Sequence, residues 1–197
     1  MQSLDDVHII ACGVFRPALK YLRLLERYPE LRVIFLPSNL HLRPQELKNQ
    51  LGLKINTLRH TTRRLICLYG ECFPDISGFC AQHGVCKIQG YSCHEFFLGL
   101  ERYRRFIDEI TGTYFLEQEL IKNFEGYCVK PLELNDPLMR DCFFKHYQRV
   151  IYIRQPSDPE LGVQAGKVAD FLGLSLEIVN ADYLDLEERL VHLIEAC

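Results

Sequence analysis

Three cysteines stand in short motifs that read as chain turns: Ala11-Cys12-Gly13, Tyr69-Gly70-Glu71-Cys72 and Gly90-Tyr91-Ser92-Cys93-His94. A thiolate is the soft ligand that holds zinc or the irons of an iron–sulfur cluster. Three converging thiolates leave a fourth position for histidine, water or substrate. Cys12, Cys72 and Cys93 are therefore candidate metal ligands, with His94 as a nitrogen ligand beside them. No Cys-x-x-Cys pair occurs, so the strong local signature of a metal loop is absent and convergence depends on topology. The competing reading is that cysteines are small buried hydrophobes. It fits Cys67 best, inside the apolar run Leu65-Ile66-Cys67-Leu68. Cys80 and Cys86 lie near enough to Cys72 in sequence to serve as spare ligands.

Proton-transfer and anion-binding groups accompany these motifs. Leu40-His41-Leu42-Arg43-Pro44 follows an apolar run; a histidine there can move a proton and an arginine can grip an anion through its planar fork. Glu71 and Glu95 each flank a candidate ligand cysteine and could act as base or orient the ligands. The catalytic candidates are thus His41, Glu71 and Glu95, and the substrate-binding candidates Arg43 and Arg154. The competing readings are a helix cap for the His41 loop and a solvated surface for each lone acid.

The elements that must position these residues are legible as alternating patterns. Short apolar runs at 7–13, 31–36, 65–70, 85–88, 150–153 and 174–179 read as strands, several closed by glycine or proline. Between them lie helical periodicities at 17–28, 44–58, 75–83, 95–110, 137–147, 159–172 and 184–196. The stretch 112–134 is harder to read, with a helix expected near 116–124. Strands alternating with helices of this length imply βαβ units and an α/β fold: a mainly parallel sheet of about six strands with helices on both faces. The chain reads as a single domain, 1–197, with a division into two Rossmann-like lobes, 1–111 and 112–197, as the variant. Such sheets bind ligands at the carboxyl ends of their strands, which is where Cys12, Cys72 and Cys93 fall.

Composition excludes several classes. At 48% hydrophobic and 25% charged residues the chain is globular, not disordered or fibrous. A net charge of −3 argues against a nucleic-acid partner. No apolar run approaches the roughly 18 residues of a membrane span, and the acidic start Met1-Gln2-Ser3-Leu4-Asp5-Asp6 lacks the basic region of a secretory signal. A cytoplasmic location is expected, and there nine cysteines, an odd number, point to metal or redox work rather than a disulfide framework. The Walker, GxGxxG, HExxH and GxSxG signatures are all missing.

Five segments occur in order: Ile10-Ala11-Cys12-Gly13-Val14; Leu36-Pro37-Ser38-Asn39-Leu40-His41-Leu42-Arg43-Pro44; Leu68-Tyr69-Gly70-Glu71-Cys72; Cys93 to Gly99 with Arg102-Tyr103; and Gly112-Thr113-Tyr114-Phe115. This ordered set resembles the family called domain of unknown function 1638, over most of the chain. Genes of that family often stand beside corrinoid-dependent methylamine methyltransferases and their reactivation proteins. The resemblance places Cys12, His41, Cys72 and Cys93 inside its recurring motifs. Where the family pattern has an Asp just before the third cysteine, Ser92 stands here, and Glu95 is the acid that could replace it.

The expectation is a cysteine-ligated metal or iron–sulfur protein acting in, or supporting, corrinoid-dependent one-carbon metabolism, with a small anionic substrate. The cofactor would be an iron–sulfur cluster or zinc. The alternative is a non-catalytic accessory module that binds a corrinoid protein or a methyltransferase. Whether the protein turns over a substrate is left open by these residues.

Overall fold

The computed structural model describes residues 7–62 and 64–196. Its strands are β1 (Val7–Cys12), β2 (Arg32–Leu36), β3 (Arg64–Leu68), β4 (Cys86–Lys87), β5 (Thr113–Leu116), β6 (Arg149–Arg154) and β7 (Ser175–Asn180), separated by helices. All strand pairs are parallel, so the α/β expectation holds. One sheet of about six strands does not. There are two sheets, β2-β1-β3-β4 and β5-β6-β7. Two causes are visible. β4 is only two residues long, pairing Ile66 with Cys86 and Cys67 with Lys87, so it offers little ladder for a further strand. β5 lies just before the helix expected near 116–124, which is present as Gln118–Lys122, and it seeds a second sheet by pairing Thr113–Leu116 with Arg149–Tyr152.

The chain forms two compact units. The first holds the residues up to Phe96 together with the closing helix Leu184–Ala196, and the second holds Phe97–Tyr183. The division thus falls within the helix Cys93–Leu98 rather than near residue 112. In the first unit the central strands are apolar on both faces: Ile9, Ile10, Ala11, Ile66, Cys67 and Leu68 are fully buried, as helix-covered parallel strands require. The closing helix belongs here because it buries Leu186, Leu190 and Ile194 at four-residue spacing. Arg27 pairs with Glu187, and the Tyr28 hydroxyl donates to Glu195 at 2.6 Å. In the second unit Leu116, Val150 and Tyr152 of the strands pack with Ala165, Val168 and Leu172 of the helix Gly162–Leu172.

Two expected helices are broken. The first, 17–28, divides into Arg16–Tyr21 and Leu24–Arg27 at Arg23, whose φ is +51°. The other, 95–110, becomes Cys93–Leu98 and Leu100–Glu109, separated by Gly99 at φ +78°, a conformation that glycine adopts at little cost.

Candidate functional site

In the order β2-β1-β3-β4 the chain steps from β1 to one neighbour, β2, and then returns to the other side of β1 for β3. The carboxyl ends of β1 and β3 flank this switch point, where sheets of this kind open a crevice for ligands. Cys12 is the last residue of β1, and Tyr69-Gly70-Glu71-Cys72 directly follows β3. The neighbouring loops close on them. A Cβ on Gly70 would lie 2.6 Å from the Tyr91 carbonyl oxygen and 2.7 Å from the Ser92 Cα, so only glycine admits the loop that carries Cys93. The Glu71 N–H donates to that same Tyr91 carbonyl at 2.8 Å. At Gly13 a Cβ would meet the Leu36 carbonyl at 3.2 Å, which draws the His41 loop to the end of β1.

Cys12 is buried, whereas Cys72 and Cys93 are half-buried. Tyr69 is 1% exposed, and its hydroxyl has no hydrogen-bond partner among the described residues. Burial pushes the Tyr69 phenol well above its ordinary range, and Cys12, Cys67 and Cys72 add to the effect. The phenol thus sits as an O–H donor beside the thiols that flank the switch point. Burial raises the Cys72 thiol above its ordinary value. The Lys87 ammonium and a backbone hydrogen bond at Gly70 oppose that rise only in part. Below this layer Cys67 and Cys80, both fully buried, share a thiol hydrogen bond. That bond raises Cys67 and lowers Cys80.

The charged groups tie loops together. Lys87, buried at the end of β4, donates to the carbonyls of Ile88 at 3.0 Å and Gly90 at 3.3 Å. It also pairs with Glu71 at 2.9 Å, and the Ser77 hydroxyl donates to the same Glu71 carboxylate at 3.0 Å. Glu95 is 1% exposed. It accepts from the Tyr91 N–H at 2.8 Å and from Arg189 of the closing helix at 3.0 Å. Both of its oxygens are engaged, so it acts as a strut for the Cys93 loop. His41 is exposed, with Nδ1 donating to the Ser38 carbonyl at 2.7 Å. Burial first, then the nearby His41, pushes His94 down to about 4, so it is neutral at ordinary pH. Arg43 spends its charge on Glu46, 2.7 Å away on the helix Pro44–Leu58. Arg154 lies in the second unit, where its Nε donates to the Asn180 side chain at 2.8 Å.

The first unit therefore carries the Cys12, Cys72, Cys93, His41, His94, Glu71 and Glu95 candidates on one sheet edge. Among the described residues, no group of three or more His, Cys, Asp or Glu is gathered so as to hold a metal ion. Tyr69 and Lys87 were missed from the sequence. A signal for Lys87 was present: a lysine within Val85-Cys86-Lys87-Ile88 must be buried and must find an anion.

A family model described as a protein of unknown function (DUF1638) matches residues 35–190. The chain belongs to this family. The DUF1638 match spans His41, Glu71, Cys72, Cys93, Glu95 and Arg154 and begins after β1, so Cys12 lies before it. No curated protein matches, and no solved structure matches.

Proposed function

We propose that this DUF1638 protein holds an iron–sulfur cluster at the carboxyl edge of the β2-β1-β3-β4 sheet, on Cys12, Cys72 and Cys93, and works in corrinoid-dependent methyl-group metabolism. The observation that carries this reading is the buried, unpartnered Tyr69 hydroxyl beside Cys12 and Cys72 at the switch point. Hydrogen bonds to ligand sulfurs are a principal means by which a protein tunes such a centre, and a thiolate sulfur gives that O–H the acceptor it lacks. A cluster distributes its thiolates over several irons. When bound, it would supply one-electron transfer and, with only three cysteines, an iron open to substrate.

This chain's own residues have separate tasks. Lys87 holds the Cys72 and Cys93 loops in register through the Gly90 carbonyl and Glu71, and its charge offsets thiolates formed nearby. Neutral His94 is a nitrogen ligand or proton acceptor, and His41 Nε2 an acceptor at the rim. Anaerobic purification followed by an absorption spectrum tests the reading. A broad band near ~400 nm supports the cluster. A colourless protein carrying one zinc overturns the cluster in favour of the Cys/His zinc site, and a metal-free protein that takes up neither overturns both.

One observation favours the accessory-module reading instead. Along the edge strand β2 runs a groove of about 360 Å³ whose rim carries Arg16, Lys20 and Arg23 against one acid, Glu26, with Leu19, Leu25 and Phe35 as its apolar part. A basic rim over an apolar floor fits an acidic surface on a corrinoid protein or methyltransferase. Co-purification with such a partner, lost in Arg16→Glu/Arg23→Glu, supports it. Retention in that variant rules out this face.

A further inference from the structure

The first sheet leaves one edge open. β2 is the outer strand of the order β2-β1-β3-β4 and pairs with β1 alone, so half of the N–H and C=O groups along it point away from the sheet. Natural edges are blunted by short length, charge, proline or a bulge. β4, the opposite edge, is blunted by its two-residue length. The middle of β2 has none of these devices: it reads Val33-Ile34-Phe35, apolar and half-buried. No turn or cap among the described residues takes up the backbone of those three. Alternate side chains of a strand share a face, and Val33 and Phe35 together line the groove beside this edge with Arg16, Lys20 and Arg23. The Arg16 guanidinium lies over the Phe35 ring, 4.1 Å from its centre. Arg23 meets Glu26 at 3.9 Å, and Glu26 is the single acid of the lining. Three cations against one acid leave the groove positive.

We propose that an extended acidic segment of a partner protein adds to β2 as a further strand, its backbone on the open N–H and C=O groups and its carboxylates over Arg16, Lys20 and Arg23. The proposal rests on the accessory-module reading of this face and gives the partner a form, with acids at every second position. The period follows from geometry. A strand laid beside β2 turns alternate side chains toward the face that carries the groove, and only those meet the cations; the others lie on the Ile34 face. Main-chain bonds supply affinity, and the charged row supplies selectivity. A second copy of this chain is the competing occupant, and charge disfavours it. Two copies paired antiparallel through β2 turn the same face of both sheets to the same side, so their cations would confront each other across the seam. Like charges so placed are destabilising. Edge and groove lie wholly within the first unit.

Fluorescence anisotropy on the full chain tests it with a fluorescein-labelled octapeptide of four Glu-Val repeats, and hydrogen–deuterium exchange locates the bound peptide. The Glu-Val peptide should bind. A peptide of four Lys-Val repeats, and the Glu-Val peptide with every amide N-methylated, should each bind at least about tenfold more weakly. Bound peptide should slow exchange in Arg32–Leu36. Lys20→Glu, on an exposed helix position, should weaken the Glu-Val peptide with the thermal midpoint unchanged. No binding, equal binding of the Lys-Val or N-methylated peptide, or exchange in Arg32–Leu36 untouched by bound peptide would overturn the proposal. Protection of β2 that rises with protein concentration alone would also overturn it, because a second copy then takes the edge. If co-purification is lost in Arg16→Glu/Arg23→Glu while the peptide leaves β2 unprotected, this proposal fails and the accessory reading stands; co-purification retained in that variant fails the reading of this face itself.

Discussion

A buried hydroxyl with no acceptor costs the fold the hydration it lost, on the order of 1–3 kcal/mol. Tyr69 is such a residue, and the proposal gives that cost a purpose. Tyr69→Phe should raise the thermal midpoint of the metal-free protein by a few degrees, since about 1 kcal/mol moves a protein of this size by roughly 2–4 °C. The same variant should hold a reconstituted cluster less tightly, read as faster bleaching of its absorption in air. A lower apo midpoint would show that the hydroxyl is satisfied after all. Cys67 makes the opposite case. Its thiol lies against Cys80, so the hydroxyl of Cys67→Ser finds a partner, and thermal unfolding should report a loss of only about 1 kcal/mol. At this scale the placement of Cys12, Cys72 and Cys93 at or after strand ends was legible, because each follows an apolar run. The raised Cys72 thiol was not, because its burial depends on neighbours that meet only in the fold.

Loops, more than strands, assemble the candidate edge, and they can be tested one contact at a time. Gly70→Ala would drive a methyl into the Tyr91 carbonyl and Ser92 backbone. Neither can yield as a flexible side chain would, so a loss of about 1–3 kcal/mol in urea unfolding is expected. Lys87→Met leaves Glu71 and two loop carbonyls short of a donor; removing one partner of a buried ion pair costs about 3–5 kcal/mol, and half exposure of Glu71 places the expected loss at the lower end. The strands of both sheets were legible wherever a continuous apolar run met a glycine or proline, as in β1 and β3. β5 escaped because Thr113–Leu116 is four residues long and passes without a turn signal into the helix Gln118–Lys122. The boundary of the helix Pro137–Phe144 was legible at its start from a local rule: Asp136 accepts from the Leu138 N–H, with proline in the first turn.

For the whole molecule, two buried groups set opposing pH dependences. Burial, with Glu119 and Asp158 nearby, holds the Glu117 carboxyl up at about 7 against 4.5, even though it caps the Glu119 and Leu120 N–H groups. Its contribution to stability is full below pH 4.5 and is lost as pH rises to about 7, by up to about 3 kcal/mol. His94, held down at about 4 against 6.5, contributes stability above pH 6.5 that is lost as pH falls through 4. Urea midpoints should therefore show Glu117→Gln reducing the decline between pH 5 and 8, and His94→Gln reducing the decline between pH 6.5 and 4. Neither slope was readable from the chain, since Glu117 looked like an ordinary solvated acid in Leu116-Glu117-Gln118. The two-sheet division was hidden for a similar reason: a two-residue β4 ends the first sheet, and only pairing reveals it. The central claim remains the cysteine edge, and one measurement reaches it most directly: iron and acid-labile sulfide per chain after anaerobic reconstitution of the wild type, Cys72→Ser and Cys67→Ser. The account predicts about four irons and four sulfides, as in a cubane cluster, in the wild type and in Cys67→Ser, with both lost in Cys72→Ser. Equal iron in the two variants, or none in the wild type, would contradict it.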